Sequence, residues 1–439
     1  MKPIGYSNKV FYYNGAGHST TYDFRMRILL TEAVDKEALK RAAAKTIAVF
    51  PEFAVRPVIG SDGRLYYEDN NEEIAIFDET GESHALGSEE TNGYLLCLIC
   101  GEKSFILSFY HGLSDFVGNW SFICTLVWHY VQETGETGVS ADETVRLNAD
   151  VYRNMDEQER DNPYQKFGNT DSQPSWVYED NGALEINETL YPDEADYLKN
   201  YEISMDVSAF VDKTKEIGTS FVPLLITATT QALSRLYETD GKPVVVKIPT
   251  NLRPLYGTHT TANFSDSLVL ALSKELRTET LSKQAKALRS SMNDQLHKEN
   301  FDRILAKKVK TVQDYENSDK TILQLNQSLT NAASAASARP VTFALTYPGR
   351  LEVPDEYQSV VQGFNMEPYV PTNGFFLFVG SYGKELRIRI CQRFDSDRLA
   401  KAITEEFKNL GLDASFLDKG IVRGDKVYVE KLMHLQVSP

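Results

Sequence analysis

The stretch Ser108-Phe109-Tyr110-His111-Gly112-Leu113-Ser114-Asp115-Phe116 joins two segments of different hydrophobic period. Before it, Phe105 to Tyr110 reads as a mostly apolar strand. After it, Phe116, Trp120, Ile123, Val127 and Tyr130 recur at helical spacing. His111 is therefore expected where a rigid strand empties into a loop, a position that fixes an imidazole well. Histidine has the side-chain pKa nearest neutrality, so it takes and returns a proton with little tuning. Asp115 is expected in the loop or the first helical turn, close enough to orient that loop. The competing reading makes His111 an ordinary surface-loop histidine. The aromatic stripe that follows reads as core packing, and His129 as a structural or surface residue rather than a ligand.

Working outward, Tyr94 to Cys100 and Phe105 to Tyr110 are nearly continuous apolar runs joined by Gly101-Glu-Lys103, so both belong inside a covered sheet. Upstream, Tyr22 to Leu30 reads as a strand. A helix follows, with Asp35 as its cap and Leu39, Ala43, Ile47 and Phe50 as its apolar stripe, and Pro51 stops it. Phe53 to Val58 and Arg64 to Tyr67 read as strands around a Gly60-Ser-Asp-Gly63 turn. From Gln132 to about Tyr201 the chain is polar and acidic, with scattered aromatics such as Tyr152, Tyr164, Phe167, Trp176 and Tyr178. That composition predicts a long connection packed through its aromatic residues. The expected units are 1–165, carrying the His111 loop, a linker over 166–200, and a second unit over 201–439.

The second unit repeats the general plan. Strand-like Tyr201 to Met205 precedes helices from Ser208 to near Gly218 and from Phe221 to Tyr237. Strands are expected at Val244 to Ile248 and Leu268 to Leu272, with a loop-rich segment between. One long polar helix is expected from Leu281 to Leu305. The small-residue run Asn331 to Ala338 reads as a closely packed helix or a loose link. Val341 to Thr346 and Phe375 to Val379 read as strands. Leu386, Ile388 and Ile390 alternate with Arg387, Arg389 and Cys391, which predicts a strand with one apolar face and a solvated arginine face. Leu399, Ile403, Phe407 and Leu410 form a helical stripe closed by Gly411. Mixed strands and helices in both halves define an α/β (α+β) architecture. No Gly-x-Gly-x-x-Gly dinucleotide signature occurs.

Composition excludes several functions. With 46 Lys plus Arg against 62 Asp plus Glu, the formal charge is -16. That disfavours a nucleic-acid binder, which needs clustered cations. No apolar leader and no run long enough to span a bilayer is found, so a cytoplasmic protein is expected. Four cysteines agree with a reducing compartment. Cys97 and Cys100 lie in a strand-like run without the turn that zinc needs, so no metal is expected.

The His111-x-x-x-Asp115 loop, set after an apolar strand in a chain of two similar halves, resembles the active-site motif of the chloramphenicol acetyltransferase-like and condensation-domain superfamily. The type within it is closest to alcohol acetyltransferases and polyketide-associated acyltransferases. Leu39 through Arg56, ending Phe50-Pro-Glu-Phe-Ala-Val-Arg56, is similar to the family's first helix and the Pro-x-Leu-Arg-like stretch after it. Arg253 followed by Thr261-Ala-Asn-Phe-Ser-Asp266 is similar to the second-half signature, an arginine before Val-Gly-x-Phe-x-Asn. Thr346-Tyr-Pro-Gly349 stands where the family has a Thr-Asn-x-Gly segment. Departures accompany these matches. Tyr110 stands in place of the first histidine of the doubled pair found in condensation domains. Phe116 replaces the glycine that usually follows the aspartate, which would narrow the loop. Ala262 and Asp266 replace a glycine and an asparagine, which points to an unusual substrate or a lost reaction.

The resemblance implies two similar halves, each a mixed sheet covered by helices, around a central tunnel. It implies direct acyl transfer from a thioester to a hydroxyl or amine, with His111 as general base and no covalent intermediate. Asp115 is then the loop-holding carboxylate and Arg253 its supporting partner, with Ser265 or Thr346 as candidate oxyanion or substrate contacts. Acyl-coenzyme A is the expected co-substrate of a free-standing, plausibly monomeric enzyme. The alternatives are a carrier-protein-dependent condensation-type enzyme acting in trans and a non-catalytic binding protein on the same scaffold. Arg387, Arg389 and Arg393 read as a solvated face rather than phosphate contacts, and His18 and His259 as loop residues.

Overall fold

The computed structural model describes residues 1–9, 23–135, 162–168, 182–191, 197–237, 240–320, 341–351, 357–367 and 374–425, with 159, 324 and 353 singly. The fold is α/β, with mixed sheets covered by helices. Among the described residues a five-stranded sheet runs in the order Val361–Met366, Asp23–Leu30, Ser104–Tyr110, Leu96–Cys100, Ile76–Asp78. An eight-stranded sheet runs Ser265–Leu272, Val244–Asn251, Phe343–Thr346, Phe375–Tyr382, Glu385–Gln392, Tyr197–Asp206, Ser415–Arg423, with Arg350–Leu351 paired to Phe375–Tyr382. A three-stranded sheet joins Lys2–Pro3, Leu65–Asp69 and Val55–Ile59.

The strand Ser104–Tyr110 lies between two neighbours and is buried at every position. That explains its mostly apolar sequence, since a strand covered on both faces has no solvated side to present. The helix Lys36–Val49 starts where Asp35 accepts from the Ala38 amide at 2.9 Å. It packs against Phe116–Glu133, whose Tyr130 hydroxyl accepts from the Asp35 amide at 3.0 Å. Phe50, Phe53 and Phe122 close that contact with ring centroids 5.3–5.9 Å apart.

Three sequence expectations are corrected. The helix expected over 281–305 is two helices, Leu281–Gln295 and Lys298–Glu316, separated at Leu296 and His297. At the break the Gln295 amide pairs with the edge strand, donating to Val269 O at 2.8 Å and accepting from Val269 N at 2.9 Å. A side chain thus satisfies backbone groups that would otherwise be left open at the sheet edge. The arginine face of Glu385–Gln392 is solvated only in part, at the half-buried Arg387. Arg389 is 3% exposed and donates to Glu202 at 2.8 Å, and Arg393, just beyond the strand, is buried and donates to Tyr191 O at 2.7 Å. The reason lies in the layering. Leu386, Ile388 and Ile390 face the second-half core, while Cys391 and Phe378 join the core of the first half, so this part of the sheet is covered on both sides. The third correction concerns Asn251 to Ser267, where a short helix, Arg253–Tyr256, interrupts the expected loop.

One strand pairs across the expected division of the chain. Val361–Met366 leaves the second half and pairs antiparallel with Asp23–Leu30. Arg27 fastens it, donating to Glu367 at 2.6 and 2.9 Å and to Glu79 at 2.6 and 2.9 Å. Ser415–Arg423 adds to Tyr197–Asp206 with an irregularity between Asp418 and Gly420. The small-residue run 331–338 and the aromatics Tyr152, Trp176 and Tyr178 lie outside the described residues.

Candidate active site

The loop after Ser104–Tyr110 ends on Asp115, which caps the helix Phe116–Glu133. An aspartate at this position gives the first helical turn an acceptor, and its Oδ1 takes the Gly118 amide at 2.9 Å. The same carboxylate receives Arg253. Nη1 donates to Oδ2 at 2.9 Å and Nη2 lies 2.9 Å from Oδ1, a two-pronged arrangement between residues 138 apart in sequence. Such a fork fixes orientation as well as distance. Phe264 N donates to Oδ2 at 2.8 Å, so each carboxylate oxygen accepts from one arginine nitrogen and one backbone amide. Arg253 spends its remaining donors on Thr260 O and Ala262 O, both at 2.7 Å, and on Asn251 Oδ1 at 3.2 Å. Both side chains are buried, 6% and 7% exposed. A buried pair with every group partnered holds one geometry firmly, whatever its net stabilisation.

The loop of the first half and the segment Thr260–Phe264 of the second are pressed together. Ser114 Oγ donates to Thr261 O. Gly118 faces the same carbonyl, and a Cβ there would stand 2.2 Å from Thr261 O. Only glycine admits that approach. Two aromatics of the acidic connection, Phe167 and Tyr164, pack against the segment. Phe167 lies 5.8 Å from Phe264 and 5.0 Å from Tyr256, and Tyr164 lies 6.2 Å from Phe264 between ring centroids.

His111 is placed by this assembly. Its Nδ1 lies 3.1 Å from Asn263 Oδ1, and its carbonyl accepts from Asn263 Nδ2 at 2.8 Å. Asn8 joins from the start of the chain, accepting from Asn263 Nδ2 at 3.1 Å and donating to Leu113 O at 3.3 Å. Asn8 and Asn263 are both buried. Sequence reasoning did not single them out. Asn263 lay inside the quoted Thr261–Asp266 stretch, and its spacing from Arg253 was the available signal. Asn8 carried none.

Of the other candidates, Ser265 begins the strand Ser265–Leu272 and its carbonyl accepts from Tyr164 at 3.4 Å. Thr346 ends the strand Phe343–Thr346, half-buried. The hydrogen bonds that assemble His111, Asp115 and Arg253 run through neither. Asp266 pairs with Lys308 at 2.7 Å. Phe116 packs in an aromatic group with Phe24 at 5.6 Å and Trp120 at 5.4 Å. His129 is buried against Thr46 Oγ1 at 2.9 Å, and burial pushes its pKa down to about 4, with Lys45 acting in the same direction. It is a structural histidine. Cys97 and Cys100 are free and buried, and burial pushes both thiols up. His18 lies outside the described residues, and His259 is exposed.

A cavity of about 820 Å³ borders the loop, with Asn8, Leu113, Thr261 and Ala262 in its wall. Among the described residues no group of His, Cys, Asp and Glu is arranged to hold a metal ion, and no helix is long and apolar enough to cross a membrane.

No protein-family model matches the sequence, and no curated protein matches it. Solved structures do match it over almost the whole chain. Polyketide synthase associated protein 5 from Mycobacterium tuberculosis aligns at 14% identity with a TM-score of 0.58, covering 92% of this chain and 97% of that one. TRI101 from F. sporotrichioides, solved with coenzyme A and T-2, aligns at 11% identity with a TM-score of 0.58, covering 95% and 99%. The first condensation domain of the CDA synthetase aligns at 14% identity with a TM-score of 0.53, covering 93% and 94%. The chain therefore shares its fold with these structures. At these identities the likeness is one of fold.

Proposed function

We propose that the chain is an acyltransferase that moves an acyl group from a thioester to a hydroxyl or amine by direct attack. His111 is the general base. It takes the acceptor proton as the oxygen or nitrogen attacks the thioester carbonyl. When the tetrahedral intermediate collapses, the carbon–sulfur bond breaks and the imidazolium returns the proton to the leaving thiolate. Asp115 and Arg253 act by holding the loop, and Ser265 and Thr346 are the candidate groups near the developing oxyanion. The observation that carries this reading is the convergence on one loop. Asp115, Arg253, Asn263 and Asn8 come from separate parts of the sequence and together fix the His111 loop, whose Leu113 lines a cavity. The two units over 1–165 and 201–439, joined by 166–200, would then enclose a tunnel, reached in part through that cavity.

Two donors are compatible with the fold. Structures that match include TRI101 solved with coenzyme A or ethyl coenzyme A and the first condensation domain of the CDA synthetase. Acyl-coenzyme A suits a free-standing enzyme, whereas a carrier-bound thioester suits a partner acting in trans. Acyl-coenzyme A thioesters and an acylated carrier protein, each with a panel of small alcohols and amines, distinguish them. Free thiol should appear only when donor and acceptor are both present, and no acyl-enzyme should accumulate by mass spectrometry. Thiol release indifferent to the acceptor, or a stable acyl-enzyme, contradicts direct transfer. Tight thioester binding without turnover in either series points instead to a non-catalytic binding protein.

A further inference from the structure

We infer that Asn263, held in turn by Asn8, sets the tautomer of His111, placing the proton on Nδ1 and the reactive lone pair on Nε2. The inference rests on the reading of His111 as the base, and it names which ring nitrogen does the work. Its logic runs through groups whose polarity is fixed. The backbone amide of Asn263 can only donate, and it points at Asn8 Oδ1 at 3.3 Å. The carbonyl of Leu113 can only accept, and Asn8 Nδ2 points at it at 3.3 Å. These two contacts determine which end of the Asn8 amide is oxygen, a choice that rests on hydrogen-bond partners.

With Asn8 fixed, Asn263 follows. Its side chain faces two acceptors, Asn8 Oδ1 at 3.1 Å and His111 O at 2.8 Å, and an amide nitrogen has two protons to give them. The oxygen of Asn263 is then the atom 3.1 Å from His111 Nδ1. An amide oxygen only accepts, so Nδ1 carries the proton. The hydrogen bond made by one ring nitrogen decides the state of the other, which leaves Nε2 as the basic atom of the neutral ring. Reversing the tautomer would set Nδ1 lone pair against amide oxygen, at a site where Asn263 is 1% exposed and water cannot relieve the clash. Asn263 and Asn8 are positioning residues. They bind the start of the chain, the loop of the first half and the signature of the second into one device.

Nuclear magnetic resonance of the imidazole nitrogens tests this without substrate. The chain has 7 histidines, so histidine-selective ¹⁵N labelling gives a small set of rings, with His111 assigned by its loss in His111→Ala. Above the ring pKa, Nδ1 of His111 should show the protonated, pyrrole-type signal and Nε2 the unprotonated, pyridine-type one. Asn263→Ala should shift the ring toward the Nε2–H form that an unconstrained histidine favours in water. It should also lower kcat by about 10²-fold, the scale expected of a misplaced reacting group, with KM little changed. Asn263→Asp keeps an acceptor for Nδ1–H, so it should retain the tautomer and move the acidic limb of the kcat profile to higher pH. A native ring protonated at Nε2, or an unchanged tautomer in folded Asn263→Ala, overturns the inference, and the native spectrum decides even if a variant does not fold. If the tautomer is as stated but folded His111→Ala transfers at the native rate, the lock stands and the assignment of the base falls.

Discussion

Two of the buried arginines hold carboxylates in different ways. Arg253 meets one carboxylate, that of Asp115, in a fork whose oxygens are completed by the Gly118 and Phe264 amides. Arg25 meets two, Asp23 at 2.8 Å and Asp425 at 2.6 Å, where the end of Ser415–Arg423 reaches back to the five-stranded sheet. Among the described residues Asp23 Oδ1 and Asp425 Oδ2 have no hydrogen-bond partner. Burial pushes the Asp23 carboxyl up to about 7, with Arg25 opposing and Asp425 adding to the rise. One cluster balances a single positive charge with a single negative one. The other carries one carboxylate too many for its guanidinium, so a proton is the natural fourth member. The comparison teaches that a buried arginine contact is a fixed mount only where charge and hydrogen bonds both close, and the loop carrying His111 has that kind.

Removing the Asp115 carboxylate should have the largest effect on stability. Asp115→Ala leaves the Arg253 guanidinium buried and uncompensated, a loss of about 3–5 kcal/mol for a broken buried pair. Thermal denaturation should show it, while Asp115→Asn, which keeps the cap, should lose less. Similar melting for Ala and native protein would mean that the pair is not a mount. Next comes Gly118→Ala, which drives a methyl into Thr261 O and should cost roughly 1–3 kcal/mol as overpacking. It should also lower transfer through displacement of the loop, and an unchanged rate and stability would show that the two segments are not tightly apposed.

The third contrast is one of pH dependence and lies at the other cluster. Because the folded-state pKa of Asp23 lies above its unfolded value, the folded protein binds the proton first as pH falls. Stability from this group is complete below the unfolded pKa and is lost as pH rises through about 7. Asp23→Asn cannot ionise, so its stability relative to native protein should improve from pH 5 to about pH 7 and level off above that. Parallel stability curves over that range would remove the contrast between the clusters.

How much of this was legible in the sequence differs by element. The strand before His111 could be read because a strand buried on both faces is mostly apolar, here with only Ser104 and Ser108 as exceptions. Asp115 and Arg253 stand out as charges inside motifs, and the structure brings them together. Asn8 and Asn263 were silent, since an asparagine in a loop looks the same whether it turns the chain or orients a ring. Val361–Met366 was missed because Gly363 and Asn365 dilute its pattern, and its partner strand lies over 330 residues earlier in sequence. Ser415–Arg423 carries Asp418-Lys419-Gly420, which reads as a turn and is instead an irregularity within an edge strand. The arginines of Glu385–Gln392 misled because alternation reports two different faces and cannot say what covers the second.

The central claim is that His111 moves the proton in acyl transfer. The direct measurement is the rate of acceptor-dependent thiol release by His111→Ala, set beside native protein on the same thioester and acceptor, with folding checked by thermal denaturation. The account predicts a folded variant slowed by roughly 10²–10⁴-fold, the range for losing a positioned general base. A folded His111→Ala that transfers at the native rate would contradict it.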